Sequence, residues 1–409
     1  MKKYFIQTFG CQQNTADSER IASQYEARGF VSAESIEEAD TLIVNTCIVR
    51  DRAEERVYGL VQNLREKSKR GPEDLQIVIT GCLVGAAARE PSGKLMKRMR
   101  ERLPNELFLP MEDVGFEHAP KRNTGKMASV VISNGCNNFC AFCIVPFSRG
   151  KERSRPFDEI LHEVREAVKN GKTEILLLGQ NVNSYGADLL METMRTGSQY
   201  ALPDGKRVKP VMVKHLGRHR IPTLFTYLLE AVAETSGVEK VMFLSANPWD
   251  FSDELIEVIA RHSNIDRLLH LPIQAGSDKI IKAMNRWYTR DEYLALIDRI
   301  RAKVPDVQFT TDIIVGFPGE TREDFEATMD IARRVKFVKA FIAWYSPRHG
   351  TAALKMDNDV DIHEKKRRYT ELDHLVLRLS GREHLIGKAP TSNKGLSKAA
   401  FSTGSEMLG

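Results

Sequence analysis

Six cysteines are the residues with the most chemistry to offer, and their positions divide them into two sets of three. Cys136, Cys140 and Cys143 form a tight C-x3-C-x2-C cluster in the stretch GCNNFCAFC. Thiolates at this spacing are soft ligands suited to an iron–sulfur cluster or to zinc. Zinc favours paired C-x2-C units with a fourth cysteine or a histidine nearby, and no histidine lies between His118 and His162. Three thiolates on a four-iron cluster leave one iron open, and an open iron can bind a substrate. Cys11, Cys47 and Cys82 are spread through the first fifth of the chain. Six cysteines in 409 residues exclude a disulfide scaffold.

The elements around the spread set explain how it would come together. Residues 3–9 (KYFIQTF) predict a strand that ends at Gly10-Cys11, followed by a helix capped by Thr15 or Asp17 and running to about Arg28. Residues 41–45 (TLIVN) predict a second strand, closed by Thr46-Cys47, then a helix from about Asp51 to Lys69. Residues 76–80 (QIVIT) lead into Gly81-Cys82, with a helix at about 92–102. Alternating strand and helix predicts a parallel sheet, where ligands gather at the carboxyl ends of the strands. Each of the three cysteines falls just beyond such an end. One cysteine there reads as a small buried hydrophobe; three at equivalent junctions read as a shared metal site.

The C-x3-C-x2-C cluster follows a strand at 129–133, and the alternation continues beyond it. Further strands are predicted at 174–178, 240–244, 268–271, 309–315 and 340–344. Helices at about 157–169, 223–235, 252–262, 277–284 with 290–302, and 322–335 lie between them. Six βα units are too few for a closed eight-fold barrel.

These motifs carry a family resemblance. TFGCQQNTADSE, NTCIVRDRAEERVYG, GCNNFCAFCIVPFSRGKERSRP, LLLGQNVNSYG, LHLPIQAGSD and DIIVGFPGET resemble the radical S-adenosylmethionine (SAM) methylthiotransferases over about residues 1–380. GQNVNSYG and CIVPFSRGKERSRP are most similar to the tRNA-2-methylthio-N(6)-dimethylallyladenosine synthase branch. The resemblance implies an α/β protein: an N-terminal parallel-sheet domain over residues 1–120 and an open six-unit (βα) radical-SAM partial barrel over 121–360, while residues 361–409 themselves read as a helix and tail. It implies a 4Fe-4S cluster on Cys136, Cys140 and Cys143 that ligates SAM, whose one-electron cleavage yields methionine and a 5′-deoxyadenosyl radical. It also implies a second 4Fe-4S cluster on Cys11, Cys47 and Cys82 that carries sulfur, with a second SAM as methyl donor. The reaction implied is methylthiolation of C2 of N(6)-dimethylallyladenosine at tRNA position 37. Adenine C2–H is neither acidic nor polarised, so side-chain acid–base chemistry, worth about 10²–10⁴-fold, does not suffice. Partners implied are tRNA, an electron donor such as a flavodoxin or ferredoxin, and a sulfur source.

Phe142, the aromatic before the last cysteine, belongs to the family signature. Gln180 and Asn181 follow the second barrel strand, where the family contacts SAM; a turn-capping pair is the plainer reading. Gln274 and Ser277 lie at the corresponding end of another strand, with loop bracing as the alternative. Asp312 is an acid within an apolar strand and needs a partner, either the cofactor side of the barrel or an arginine.

Composition bounds the rest. The chain carries 60 Lys+Arg against 55 Asp+Glu, 42% apolar residues and a mean hydropathy of −0.34. That describes a folded, mildly basic protein that permits a nucleic-acid partner. The longest uncharged stretch, Met127 to Ser148, holds three asparagines, three cysteines and Pro146, so no membrane segment is expected and the cytoplasm and a monomer are the defaults. Residues 186–221 are longer than the family's usual connection. Lys206, Arg207, Lys209, Lys214, Arg218 and Arg220 make this insertion strongly basic, as a solvated surface loop or as an RNA-backbone contact. A charged helix at 361–380 and the tail from Gly387 are expected in place of the small β-barrel RNA-binding domain with which the family normally ends. Other readings are methylthiolation of threonylcarbamoyl-adenosine or of a ribosomal-protein aspartate, and a non-catalytic iron–sulfur RNA-binding remnant.

Overall fold

Alternation within three short strands builds the first sheet. The computed structural model describes residues 1–48, 53–66, 70–71, 73–110, 119–122, 125–196, 199–215 and 219–386. The chain begins β1 (Lys3–Thr8), α1 (Gln12–Ala27), β2 (Val31–Ser32), β3 (Thr41–Thr46), α2 (Ala53–Glu66), β4 (Gln76–Gly81), α3 (Cys82–Arg89), α4 (Lys94–Arg102) and β5 (Leu107–Phe108). The strands form one sheet in the order β2-β1-β3-β4-β5, parallel at every pairing. Leu42, Val44, Ile77 and Ile79 face Val57, Val61, Leu83 and Met99 on one side. Ile43 and Val78 face Ile21 and Tyr25 of α1 on the other. This period-two alternation between two helical layers is what a doubly covered parallel sheet requires.

Two local expectations need correction. Helix α1 starts directly after Cys11, and neither Thr15 nor Asp17 caps it; Asp17 is buried in an ion pair with Arg149. Cys82 is itself the first residue of α3, a helix that the apolar LVGAAA run obscured because it lacks helical alternation. Its Gly85 is needed for close approach: a Cβ there would stand 2.1 Å from the Ser148 carbonyl oxygen. That contact brings Cys82 against the segment after Cys143.

The second half comprises β6 (Met127–Val131), β7 (Ser133–Asn134), α5 (Val145–Ser148), β8 (Arg153–Ser154), α6 (Phe157–Lys169), β9 (Glu174–Leu178) and α7 (Ala187–Thr196). Next come β10 (Tyr200–Ala201), β11 (Arg207–Val208), β12 (Val211–His215), β13 (His219–Thr223), α8 (Phe225–Ala233), β14 (Lys240–Phe243), α9 (Asp253–Arg261) and β15 (Leu268–His270). The chain continues through α10 (Asp278–Ala283), α11 (Arg290–Lys303), β16 (Gln308–Val315), α12 (Arg322–Val335), β17 (Lys339–Trp344) and α13 (Ile362–Leu379). Strands β6, β9 and β14 form one parallel sheet and β15, β16 and β17 another. A parallel bridge from Val241 to Ile265 joins them, so six strands follow one another in chain order as an open barrel. Ile175 and Leu177 of β9 point to the helical shell. Leu176 and Leu178 point to the opposite face, where Ala16 of α1 packs against them with Val131 and Met242. One helix of the first sheet's shell thus closes part of the barrel's inner face.

The basic insertion is not a loop. It forms α7 and two antiparallel hairpins, β10–β11 and β12–β13, with Val208, Val211 and Val213 buried. The alternating valines of VMVKH supply one apolar face to pack, which a solvated loop would lack. Arg218 lies outside the described residues, as does the tail from Gly387. The expected terminal helix is α13, anchored by buried Leu372 and Val376 and by Arg368, which donates to the buried Glu320 carboxylate at 2.5 Å. Among the described residues, no helix is long and apolar enough to cross a membrane.

Candidate active site between sheet and barrel

All six cysteines line one cavity of about 330 Å³ between the first sheet and the barrel. The central strands deliver three of them. Thr8, Asn45 and Thr80 are in register across β1, β3 and β4, so Cys11, Cys47 and Cys82 leave the sheet at the same edge. Asn14 and Asn45 fix the exits: Asn14 Nδ2 donates to Asn45 Oδ1 at 3.1 Å and to the Thr46 carbonyl at 3.0 Å, and Asn45 Nδ2 donates to the Asn14 carbonyl at 2.8 Å. Gly81 has φ +91°, and a Cβ on it would sit 2.3 Å from the Thr46 carbonyl oxygen. Only glycine turns the chain tightly enough there to set Cys82 beside Cys47.

The barrel delivers the other three. The backbone N–H of Cys136 donates to the Gly150 carbonyl at 3.2 Å and that of Cys143 to the Cys140 carbonyl at 2.9 Å, which winds the loop around one centre. Arg149, just after α5, crosses to the first sheet's shell, donating to Asp17 Oδ2 at 2.6 Å and to Asn134 Oδ1 at 3.1 Å. Arg89 of α3 returns the link by donating to the Ser148 carbonyl at 2.6 Å.

Phe142, Gln180, Gln274 and Asp312 line the same cavity. Gln274 has φ +68° and is held by backbone bonds to Asp312 and Ile314 on either side. The partner of Asp312 is His270, not an arginine: Nε2 lies 3.3 Å from Oδ2, and Nδ1 lies 3.0 Å from Thr310 Oγ1. Two expected residues are not on the cavity wall. Asn181 is fully buried and donates to Asp250 Oδ2 at 2.6 Å. Ser277 donates to Asp324 Oδ1 at 2.5 Å, a loop-bracing contact. Nor does the basic hairpin line it. Lys206, Arg207 and Lys209 are exposed, Lys214 pairs with Glu292 at 3.0 Å, and the Arg220 side chain lies outside the described residues.

Comparison with known proteins agrees with this geometry. Residues 130–332 match the Radical SAM superfamily, and residues 3–101 match the Uncharacterized protein family UPF0004. A tRNA-2-methylthio-N(6)-dimethylallyladenosine synthase of Carboxydothermus hydrogenoformans is 41% identical over 402 residues, covering 91% of this chain and 83% of the relative. The enzyme of the same name from Thermotoga petrophila is 41% identical, covering 92% and 82%. The chain belongs to this radical SAM methylthiotransferase family. In fold it is similar to the radical S-adenosylmethionine methyltransferase TsrM from Kitasatospora setae, with a TM-score of 0.50 and 12% identity over 84% of this chain and 75% of that one.

The residues of this family member fit the SAM-binding 4Fe-4S cluster that radical SAM membership implies. The donor set is three soft thiols on one loop, and the Asn138 side-chain oxygen on the same wall is buried with no hydrogen-bond partner among the described residues. Burial pushes the Cys143 thiol up to about 12 and that of Cys136 well above its ordinary range. In the first set, burial pushes Cys82 up to about 11. These groups are therefore thiols at neutral pH, and metal loading must expel their protons. Arg149 stays cationic: burial opposes its charge, but the Asp17 carboxylate paired with it outweighs the burial. Sequence reasoning missed Arg149, Arg286, His270 and Asn14, all on the cavity wall. Nothing local marks Arg286, which lies 146 residues beyond Cys140.

Proposed function

We propose that this chain methylthiolates C2 of N(6)-dimethylallyladenosine at tRNA position 37, next to the anticodon, using two SAM molecules. The observation that carries the reading is the convergence of both cysteine triads on one cavity. Cys136, Cys140 and Cys143 hold the SAM-cleaving cluster, and Cys11, Cys47 and Cys82 hold a second 4Fe-4S cluster. Bound there, these groups supply one-electron chemistry able to break a C–H bond that no side-chain base can attack, together with sulfur and methyl transfer. The protein's own part is to hold the groups together and keep water out. Asn14, Asn45 and Gly81 set the spread triad, while Arg149 and Arg89 tie it to the barrel.

Gln180, Gln274 and the His270–Asp312 pair present polar groups to the cavity from the opposite wall. They are the groups we assign to SAM and to the adenosine. Asn181 and Ser277 act behind them, bracing the loops that carry Gln180 and Gln274. The partners we assign are tRNA, a small electron-transfer protein such as a flavodoxin or ferredoxin, and a sulfur source, in the cytoplasm. The test is mass analysis of tRNA nucleosides from cells that make N(6)-dimethylallyladenosine but lack its methylthio derivative, with and without this chain. The 2-methylthio nucleoside is expected only with it. Methylthiolation of threonylcarbamoyl-adenosine alone would refute the substrate, and no methylthio nucleoside of any kind would refute the activity.

A further inference from the structure

Among the described residues, Arg286 is a buried cation with no carboxylate partner. It is 6% exposed, and its guanidinium is spent on four acceptors. Nε donates to Tyr288 Oη at 2.9 Å, and Nη2 donates to the Pro272 carbonyl at 2.9 Å and to Asn247 Oδ1 at 3.4 Å. Nη1 points at Cys140 Sγ, 3.7 Å away. The Trp249 ring covers the guanidinium, with its centroid 4.7 Å from the central carbon. Among the described residues, none of these partners is an anion. A buried charge left in that state is costly and needs a counter-charge.

The chain around Arg286 is built to hold it there. Three successive residues grip the cysteine loop: the Met284 carbonyl accepts from the Ala141 N–H at 2.8 Å, Asn285 Nδ2 donates to the Phe139 carbonyl at 2.9 Å, and Arg286 reaches Cys140. Asn285 makes this possible by adopting φ +56°, a left-handed conformation asparagine tolerates better than most residues. The grip fixes the loop and delivers a positive charge to one ligand sulfur.

We propose that Arg286 is a positioning residue for the SAM-cleaving cluster: its guanidinium is the fixed counter-charge of the Cys140 thiolate and raises the cluster's reduction potential. This rests on the reading that Cys136, Cys140 and Cys143 bind that cluster. Hydrogen bonds to cluster sulfurs and local charge are among the protein's levers on potential, and a charged acceptor makes the Nη1 contact stronger than a neutral thiol does. A cation at this distance favours the state that has gained an electron, so its loss makes one-electron reduction harder.

The test uses full-length reconstituted protein with Cys11, Cys47 and Cys82 changed to Ala, so that one cluster reports. Iron content is measured first; about four irons per chain is expected for a 4Fe-4S cluster. An iron-free parent would sink the cluster assignment itself, separately from the role of Arg286. The reduction equilibrium is then followed by electron paramagnetic resonance during dithionite titration. An iron-loaded Arg286→Gln protein should be at least about tenfold harder to reduce, about 59 mV for a one-electron couple. An unshifted equilibrium in that variant overturns the proposal. Should Arg286→Gln hold no iron, Arg286→Lys decides. A loaded Lys variant within about threefold of the parent supports the counter-charge role. A Lys variant that is also iron-free, or is shifted tenfold, overturns it, because the planar fork would then matter as a brace and not as a charge.

Discussion

Glu163 of α6 holds the two halves of the cavity together, and its removal has a calculable cost. Its carboxylate accepts from Arg20 of α1 at 2.8 Å, from Arg155 at 2.7 Å and from Arg122 at 2.5 Å, and none of the four side chains is more than 9% exposed. Burial opposes its ionisation, but the three guanidiniums outweigh it and hold the carboxyl below the usual carboxylate range. Glu163→Gln keeps the shape and leaves three buried cations facing a neutral amide. Breaking one buried pair costs about 3–5 kcal/mol. At about 2–4 °C per kcal/mol for a domain of 150–250 residues, a loss of about 3 kcal/mol lowers Tm by roughly 6–12 °C. The sign with pH follows from the depressed carboxyl. Its stabilisation is present above the unfolded value of 4.5 and is lost as pH falls through the lower folded value. Parent and variant should therefore converge in acid. Calorimetric scans of both proteins between pH 3 and pH 8 measure this. A Glu163→Gln protein within about 1 kcal/mol of the parent at pH 7 would refute the reasoning, since a solvent-exposed pair is worth no more than that.

Three further outcomes follow from the same geometry. Gly85→Ala puts a Cβ 2.1 Å from a backbone oxygen that must move, so a loss of about 1–3 kcal/mol is expected on overpacking grounds, with less iron retained by the spread triad; thermal scans and iron counts check both. Glu19 is pushed up to about 7 by burial despite Arg122, so the parent loses up to about 3 kcal/mol as pH rises from 4.5 past 7, and Glu19→Gln should gain stability over the parent across that window. Parallel pH–stability curves for the two proteins would rule that out. Changing Cys11, Cys47 and Cys82 to Ala should leave SAM cleavage to 5′-deoxyadenosine intact while abolishing methylthio-adenosine; product analysis after anaerobic reduction would expose a merely structural triad by continued methylthiolation.

Some of this protein is legible in one dimension. The runs KYFIQT, TLIVNT and QIVITG are short, apolar, followed closely by cysteine and separated by helical stretches, so the parallel sheet and its shared edge follow from the strand–helix alternation along the chain. The C-x3-C-x2-C spacing is a local property of a single loop, and the six βα units are visible as alternating periodicities. Asp312 announced that it needed a partner because an acid inside an apolar strand is costly wherever the strand goes. Other features were decided only in three dimensions. No periodicity tells that Asp17 faces Arg149 across 132 residues, or that Gly85 abuts Ser148. The insertion's charge suggested a loop, whereas its buried valines make it a pair of hairpins, because one packed face outweighs a count of lysines. Arg286 has no local mark at all. Its meaning comes from being buried beside the Cys140 sulfur with no anionic partner among the described residues, and burial and pairing belong to the folded chain, not to the residue.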